Sequence, residues 1–272
     1  ASMTDATIHT AVTVAVAACG AIGAACFALL LAPQAYLNHT RRSTEGLSVA
    51  LVILWHVGSL VYGGALLADG ASFWLLASMG CFCVMSAVLE GQLAVYRYAI
   101  TTPILVVITV LSAVSMVGVY GLSLVFALAP ATVRMLLGDA LPAVFFGIGF
   151  FPQLKIFVHT RSIAGYSFGV TAFDVAGAAA NVAVLVLEDK YDVAGGKDAP
   201  SSGEEQAVPP NVWVEALPFL TIIALHFVLV VVALWVVMCA PKGQQSSHGG
   251  NSQHGDDPMG PGNLDESLLT NA

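Results

Sequence analysis

Apolar residues along this chain come in long runs, not at the short alternating intervals of a sheet or as the one-sided stripe of a surface helix. A run of about 20 residues, wound as a helix, crosses a ~30 Å hydrocarbon layer. Seven such spans are predicted, at 11–32, 48–68, 72–95, 99–128, 131–152, 167–187 and 212–239. The fourth is longer than a straight crossing needs, so it is expected to tilt or to end early near Gly121. Two stretches break the pattern. Residues 188–211 carry Gly195-Gly196, Pro200 and Pro209-Pro210 and read as a flexible loop. Residues 241–272, rich in Gly, Ser, Asn and Gln, read as a disordered tail. Composition agrees with a membrane protein: 57% of the 272 residues are hydrophobic and 10% charged, whereas soluble chains carry about 25% charged residues. The first run lacks a basic leader and reads as a retained span, not a cleaved signal.

Two of the spans close on the same dipeptide. Pro33-Gln34 returns as Pro152-Gln153, and Arg42-Ser43, Gly46, Ser48 and Gly58 return as Arg161-Ser162, Gly165, Ser167 and Gly177, all at an offset of 119 (33 to 152). Seven residues at one fixed offset are an internal duplication. The offset covers four spans, so the second copy starts with the first copy's direction. Spans one to three and five to seven are the expected copies, parallel to each other, with span four as linker. The predicted units are 1–98, a linker helix at 99–130, and 131–240. The fold class is thus an all-α membrane protein of seven transmembrane helices in a 3+1+3 arrangement.

Charge sets the expected orientation. Arg41, Arg42, Arg97, Lys155, Arg161 and Lys242 fall on one side, against Arg134, Lys190 and Lys197 on the other. The positive-inside rule puts the first group, the Pro-Gln ends and the C-terminus in the cytosol, with the N-terminus lumenal. Asn38-His39-Thr40 matches a glycosylation acceptor but falls on the cytosolic side, so no glycan is expected. The net charge of -8 comes from acidic residues gathered in the loop and the tail, and nothing is basic enough for nucleic acid. The five cysteines lie in or beside apolar runs and read as small packing residues. There is no nucleophile–base set, metal-ligand spacing or phosphate loop, so neither an enzyme nor a cofactor is expected.

Within the spans, a few residues can carry chemistry. Proline lacks an N–H, so Pro33 and Pro152 free the carbonyls of Leu29 and Ile148 one turn back, and each helix is expected to kink there. Gln34 and Gln153 are the nearby amides that could satisfy those carbonyls. Matched kinks favour hinges at Pro33, Gln34, Pro152 and Gln153 over prolines that merely end a span. Asp174 lies about seven residues into span six, roughly 10 Å deep at 1.5 Å per residue. An ionised carboxylate is costly there, which makes Asp174 a candidate to bind and release a proton; a carboxylate satisfied by hydroxyls is the bland alternative. Trp55 is its counterpart in the first copy, and Asn181 is two turns on along the same face. Ala172, Ala176 and Ala180 form a small-residue stripe beside Gly165-x3-Gly169, suited to close helix approach. His56 could carry a proton or simply bond a neighbouring helix. His226 reads as structural. Asp139 is either a second proton site or, preferably, a partner for Arg134, and Glu90 reads as paired with Arg97.

The stretch Pro33-Gln34-(x3)-Asn38-(x4)-Ser43-Thr44-Glu45-Gly46-Leu47-Ser48 resembles the signature of the PQ-loop repeat family, which includes cystinosin and the vacuolar and lysosomal cationic amino acid exporters. More distant relatives are the SWEET sugar carriers and the KDEL receptor. The second copy departs from the pattern at Phe157 and Ala164, where Asn and Glu are usual. Many members carry Trp-x-x-Gly-Asp-x-x-Asn; here Trp55 and Gly58 are followed by Ser59 and Tyr62, and Gly177 and Asn181 flank Ala178. The resemblance implies a proton-coupled exporter of a small amino acid, cationic or cystine-like, from a vacuole- or lysosome-type compartment. Asp174 would hold the proton, with Asn181, Trp55 and Tyr62 lining the site and His56 and Asp139 as further candidates. A sorting or signalling receptor and a sugar carrier stay open as alternatives. In the tail, Asp265-Glu266-Ser267-Leu268-Leu269 resembles an acidic dileucine signal for a sorting adaptor, or is ordinary tail.

Overall fold

The computed structural model describes residues 3–191 and 212–239. Most of the predicted loop, the tail with Leu268 and Leu269, and Lys197 and Lys242 lie outside the described residues. Within them, seven helices are long and apolar enough to cross a membrane. The elements are α1 (Met3–Leu29), α2 (Ala32–Arg41), α3 (Val49–Ala68), α4 (Phe73–Tyr96), α5 (Ile104–Ala127), α6 (Ala131–Arg134), a π-helical turn (Met135–Ala140), α7 (Leu141–Thr160), α8 (Phe168–Tyr191), α9 (Val212–Glu215) and α10 (Leu217–Cys239). The chain is thus an all-helical, multi-pass membrane protein.

The helices end where local chemistry ends them, and this corrects several predicted boundaries. The first and fifth spans run past their Pro-Gln pairs to Arg41 and Thr160. Each stops at a left-handed arginine, Arg42 at φ 51° and Arg161 at φ 48°, so the duplication extends to an unusual backbone conformation. The fourth span starts only at Ile104, with Pro103 at its N-cap, because a proline fits at a helix start and not inside it.

The two Pro-Gln pairs differ in what they do to their helices. The first span breaks: α1 ends at Leu29, and α2 restarts with Pro33 in its first turn, where the missing N–H has no helical partner to lose. Pro152 instead sits inside a continuous α7.

Packing follows an order that the 119-residue offset maps onto itself. In the first half α4 packs against both α1 and α3; in the second α10 packs against both α7 and α8. Between the halves, α1 lies on α8 and α3 lies on α7. The buried interior is aromatic where these helices meet: Phe27 meets Phe82 edge-on at 5.8 Å, and Trp55 meets Phe150 at 5.1 Å. Among the described helices α5 packs chiefly on the first half, against α3 and α4, with Gly64 opposite Leu122 and Gly91 opposite Ile108. Its outer face exposes Leu105, Val110, Val117 and Leu124, which suits contact with lipid. The predicted alanine stripe on α8 is corrected: Ala172 and Ala176 are exposed. Close approach is made by Gly177, facing Cys26 and Phe27, and by Gly169, facing Pro33.

Candidate functional site: two glutamine clamps and a buried aspartate–histidine pair

Each glutamine of the duplicated dipeptide reaches into the opposite half. Gln34 Nε2 donates to the Gly165 carbonyl at 2.8 Å, and its Oε1 accepts from the Ser167 N–H at 2.8 Å. Gln153 does the same in mirror fashion, donating to the Gly46 carbonyl at 2.9 Å and accepting from the Ser48 N–H at 2.9 Å. Ser48 is the N-cap of α3 and Ser167 directly precedes α8, so both amides satisfy donors that a helix start leaves free. This corrects the expected local role, in which each glutamine serves the carbonyls of its own helix. Between the clamps the two glycine turns touch. Gly46 has φ +84° and Gly165 φ +93°, and a Cβ at either would meet the backbone of the other turn. Both Pro-Gln turns therefore lie at one end of the bundle.

The first clamp is extended by amides. Gln34 Nε2 also donates to Asn38 Oδ1 at 2.9 Å, Asn38 Nδ2 to Gln92 Oε1 at 3.0 Å, and Gln92 Nε2 to the Ala35 carbonyl at 2.9 Å. The glycosylation-like Asn38 is thus buried and engaged through both ends of its amide. In the second copy Phe157 replaces it and stacks edge-on against Tyr166 at 5.5 Å. Gln92 had no signal in the sequence beyond being a glutamine in an apolar span.

The central group sits where α3, α7, α8 and α10 meet. Asp174 on α8 is 1% exposed, and neither of its oxygens accepts a hydrogen bond. Against it lies His226 on α10, with Nε2 at 3.5 Å from Oδ2. His226 Nδ1 lies 3.0 Å from the Ile222 carbonyl, so that nitrogen carries a hydrogen and donates it. One further proton then belongs to the pair: it either charges the ring against a carboxylate or sits on Asp174 facing a ring lone pair. The ring is held by Phe150 at 4.8 Å and Trp55 at 6.0 Å. The sequence reading left His226 to a structural role; four helices bring it against Asp174.

The other predicted residues spread along the interior. Trp55 is buried with its Nε1 unpartnered, and a narrow cleft lined by Gln34, Trp55, Ser86 and Tyr166 approaches it from the clamps. Asn181 lies two turns beyond Asp174, its Nδ2 unpartnered and its Oδ1 against Gly23, where a Cβ would come within 2.6 Å. Tyr62, the offset counterpart of Asn181, is farther from the clamps than Trp55; its hydroxyl donates to the Glu215 carbonyl at 2.9 Å and its ring meets Phe219 at 5.5 Å. Asp139 lies in the π-helical turn, where the Leu141 N–H reaches back five residues to Leu136 and Pro142 follows with no N–H to offer. Such turns occur often at functional sites.

Two expected charge pairs are rearranged. Arg134 binds Asp69 at 2.9 Å, not Asp139. Burial pushes the Asp69 carboxyl above its ordinary range while Arg134 pulls it back. The pair is partly exposed, so Arg134→Gln is expected to change stability by no more than about 1 kcal/mol, read from denaturation midpoints in lipid nanodiscs. Glu90 binds His56 at 2.8 Å, not Arg97, which instead donates to the Leu47 carbonyl at 3.5 Å. His56 therefore faces α4 and α5, away from Asp174.

Residues 15–75 match the family model described as the PQ loop repeat, a stretch that includes the first Pro-Gln pair and α3. No curated protein matches the chain significantly.

Proposed function

We propose that this chain, a member of the PQ-loop repeat family, is a proton-coupled transporter that exports a small amino acid, cationic or cystine-like, from a vacuole- or lysosome-type compartment to the cytosol. The observation that carries the reading is Asp174: a carboxyl group enclosed between the two halves, with no hydrogen bond to either oxygen and the titratable ring of His226 against it. A buried acid kept this way is expensive unless its proton moves or a cationic group arrives to pair with it. Unpartnered polar atoms on Trp55 and Asn181 supply donors along the same interior path for a substrate carboxylate. The duplicated packing order supports two parallel repeats, and the reciprocal clamps support a gate at the Pro-Gln end whose halves separate together. In this cycle the joined clamps correspond to a closed gate on the cytosolic side. Opening it breaks the four clamp bonds and lets substrate and proton leave toward the N-cap turns of α3 and α8. The reading puts the N-terminus in the lumen and the C-terminus in the cytosol, and gives the chain no covalent chemistry.

The test is flux in reconstituted vesicles across a panel of amino acids and sugars, with and without a pH gradient. Amino acid flux driven by the gradient is expected in the native chain and lost in Asp174→Asn. Full proton dependence in Asp174→Asn overturns the assignment of the proton to that residue. Binding of a peptide with no flux of any solute points to a receptor instead.

A further inference from the structure

We propose that His56 and Glu90 form a second proton-binding site, separate from Asp174 and His226, where α3, α4 and α5 meet. Hydrogen-bond directions carry the argument. The Ser115 hydroxyl on α5 donates its single hydrogen to the Leu111 carbonyl at 2.7 Å. Toward His56 Nε2, 2.8 Å away, it can then only accept, so Nε2 carries a hydrogen as long as Ser115 donates to Leu111. That leaves Nδ1, 2.8 Å from Glu90 Oε1 on α4. A contact this short needs one hydrogen between the two atoms. Either a doubly protonated ring donates to the carboxylate, or a protonated Glu90 donates to the ring lone pair. Both descriptions contain the same proton, and the pair gains or loses it as a unit. Without it a lone pair and an anionic oxygen face each other, and the contact opens.

The surroundings isolate this exchange. From α4 the other titratable group nearby is Cys83, whose Sγ lies 3.3 Å from Ser59 Oγ, and Ser59 itself donates to the His56 carbonyl at 2.7 Å. α5 presents the Ser115 hydroxyl. α7 meets α3 beside Gly58 with Phe145 and Phe146, which carry no charge. Asp139 is at the level of Ala65, nine residues further along α3, since the neighbouring Gly138 faces Ala65. Glu90 is 17% exposed and His56 8%, so the pair is reached from its carboxylate side. Two residues beyond Glu90, Gln92 belongs to the amide network of the first clamp, which places the site near the polar end of the bundle. Because α5 packs chiefly on α3 and α4 among the described helices, the Glu90–His56–Ser115 chain is a polar tie that holds the linker helix to the first half. The proton keeps that tie closed, and its loss at higher pH releases it.

The inference does not depend on transport, and neither does its test. In lipid nanodiscs, a pH titration of 15N-histidine-labelled protein is expected to show His56 Nε2 protonated throughout, with a single proton step at Nδ1. Glu90→Gln replaces the shared proton by an amide N–H that donates to Nδ1, and is expected to abolish that step. It also removes the fall in thermal midpoint on raising the pH through the step, whereas Asp174→Asn keeps it. Should Glu90→Gln not fold, Ser115→Ala is expected to let Nε2 lose its hydrogen and so change the native pattern. A His56 ring that titrates identically in the native chain and in Glu90→Gln, or a native Nε2 that deprotonates, overturns the proposal.

Discussion

His226→Gln is expected to give the same transport defect as Asp174→Asn, and the double variant no more than either alone. His226 Nε2 lies 3.5 Å from Asp174 Oδ2, and no hydrogen bond reaches the carboxylate oxygens. Remove the imidazole and an ionised Asp174 becomes a buried charge without a partner, a penalty of several kcal/mol. The acid therefore stays protonated through the cycle. Asparagine at 174 imitates that frozen state, so both variants are expected to exchange labelled substrate across vesicles at equal pH while losing at least about tenfold of the flux driven by a pH gradient. Residues acting as one unit give non-additive losses. Losses that multiply in the double variant would show that His226 acts independently and that the shared-proton description fails.

Gly165→Ala is expected to be the most damaging single substitution to the fold. The residue has φ +93°, a conformation that costs an L side chain roughly 1–2 kcal/mol. The new methyl group would also run into the Glu45 carbonyl of the facing turn. Relieving that overlap separates the turns and strains the Gln34 bonds to Gly165 and Ser167, where each buried backbone group left unsatisfied costs about 1–3 kcal/mol. A total above about 4 kcal/mol follows, enough to unfold many domains outright. Gly70 provides the control. It has φ +67° with nothing within 4 Å of its would-be Cβ, so Gly70→Ala carries the backbone strain alone. Thermal midpoints in nanodiscs separate the cases: Gly165→Ala falls well below Gly70→Ala if the glycine contact matters, and equal shifts would mean that it does not. Gly46→Ala is expected to behave like Gly165→Ala, its Cβ lying 2.5 Å from the Ala164 carbonyl.

The apolar all-helical character, the seven spans, the duplicated residues and the placing of an acid, Asp174, inside an apolar span were all determined by the sequence alone. Each depends on run length, composition or spacing, quantities that a linear chain carries without knowing its neighbours. The duplicated Pro-Gln dipeptide also marked the right glutamines, but the sequence pointed them at carbonyls of their own helices. Their true partners are more than a hundred residues away, and only the apposition of two glycine turns brings Gly165 to Gln34 and Gly46 to Gln153. The same limit explains the charge pairs. Arg134 is five residues from Asp139 and Glu90 is seven from Arg97, so proximity along the chain favoured those partners. The fold instead offered Asp69, at the C-cap of α3, and His56, across the packing of α3 on α4. His226 carried no local signal at all. What a buried side chain does is decided by the one or two groups it meets across a helix interface, and that meeting is a property of packing, written in no single stretch of residues.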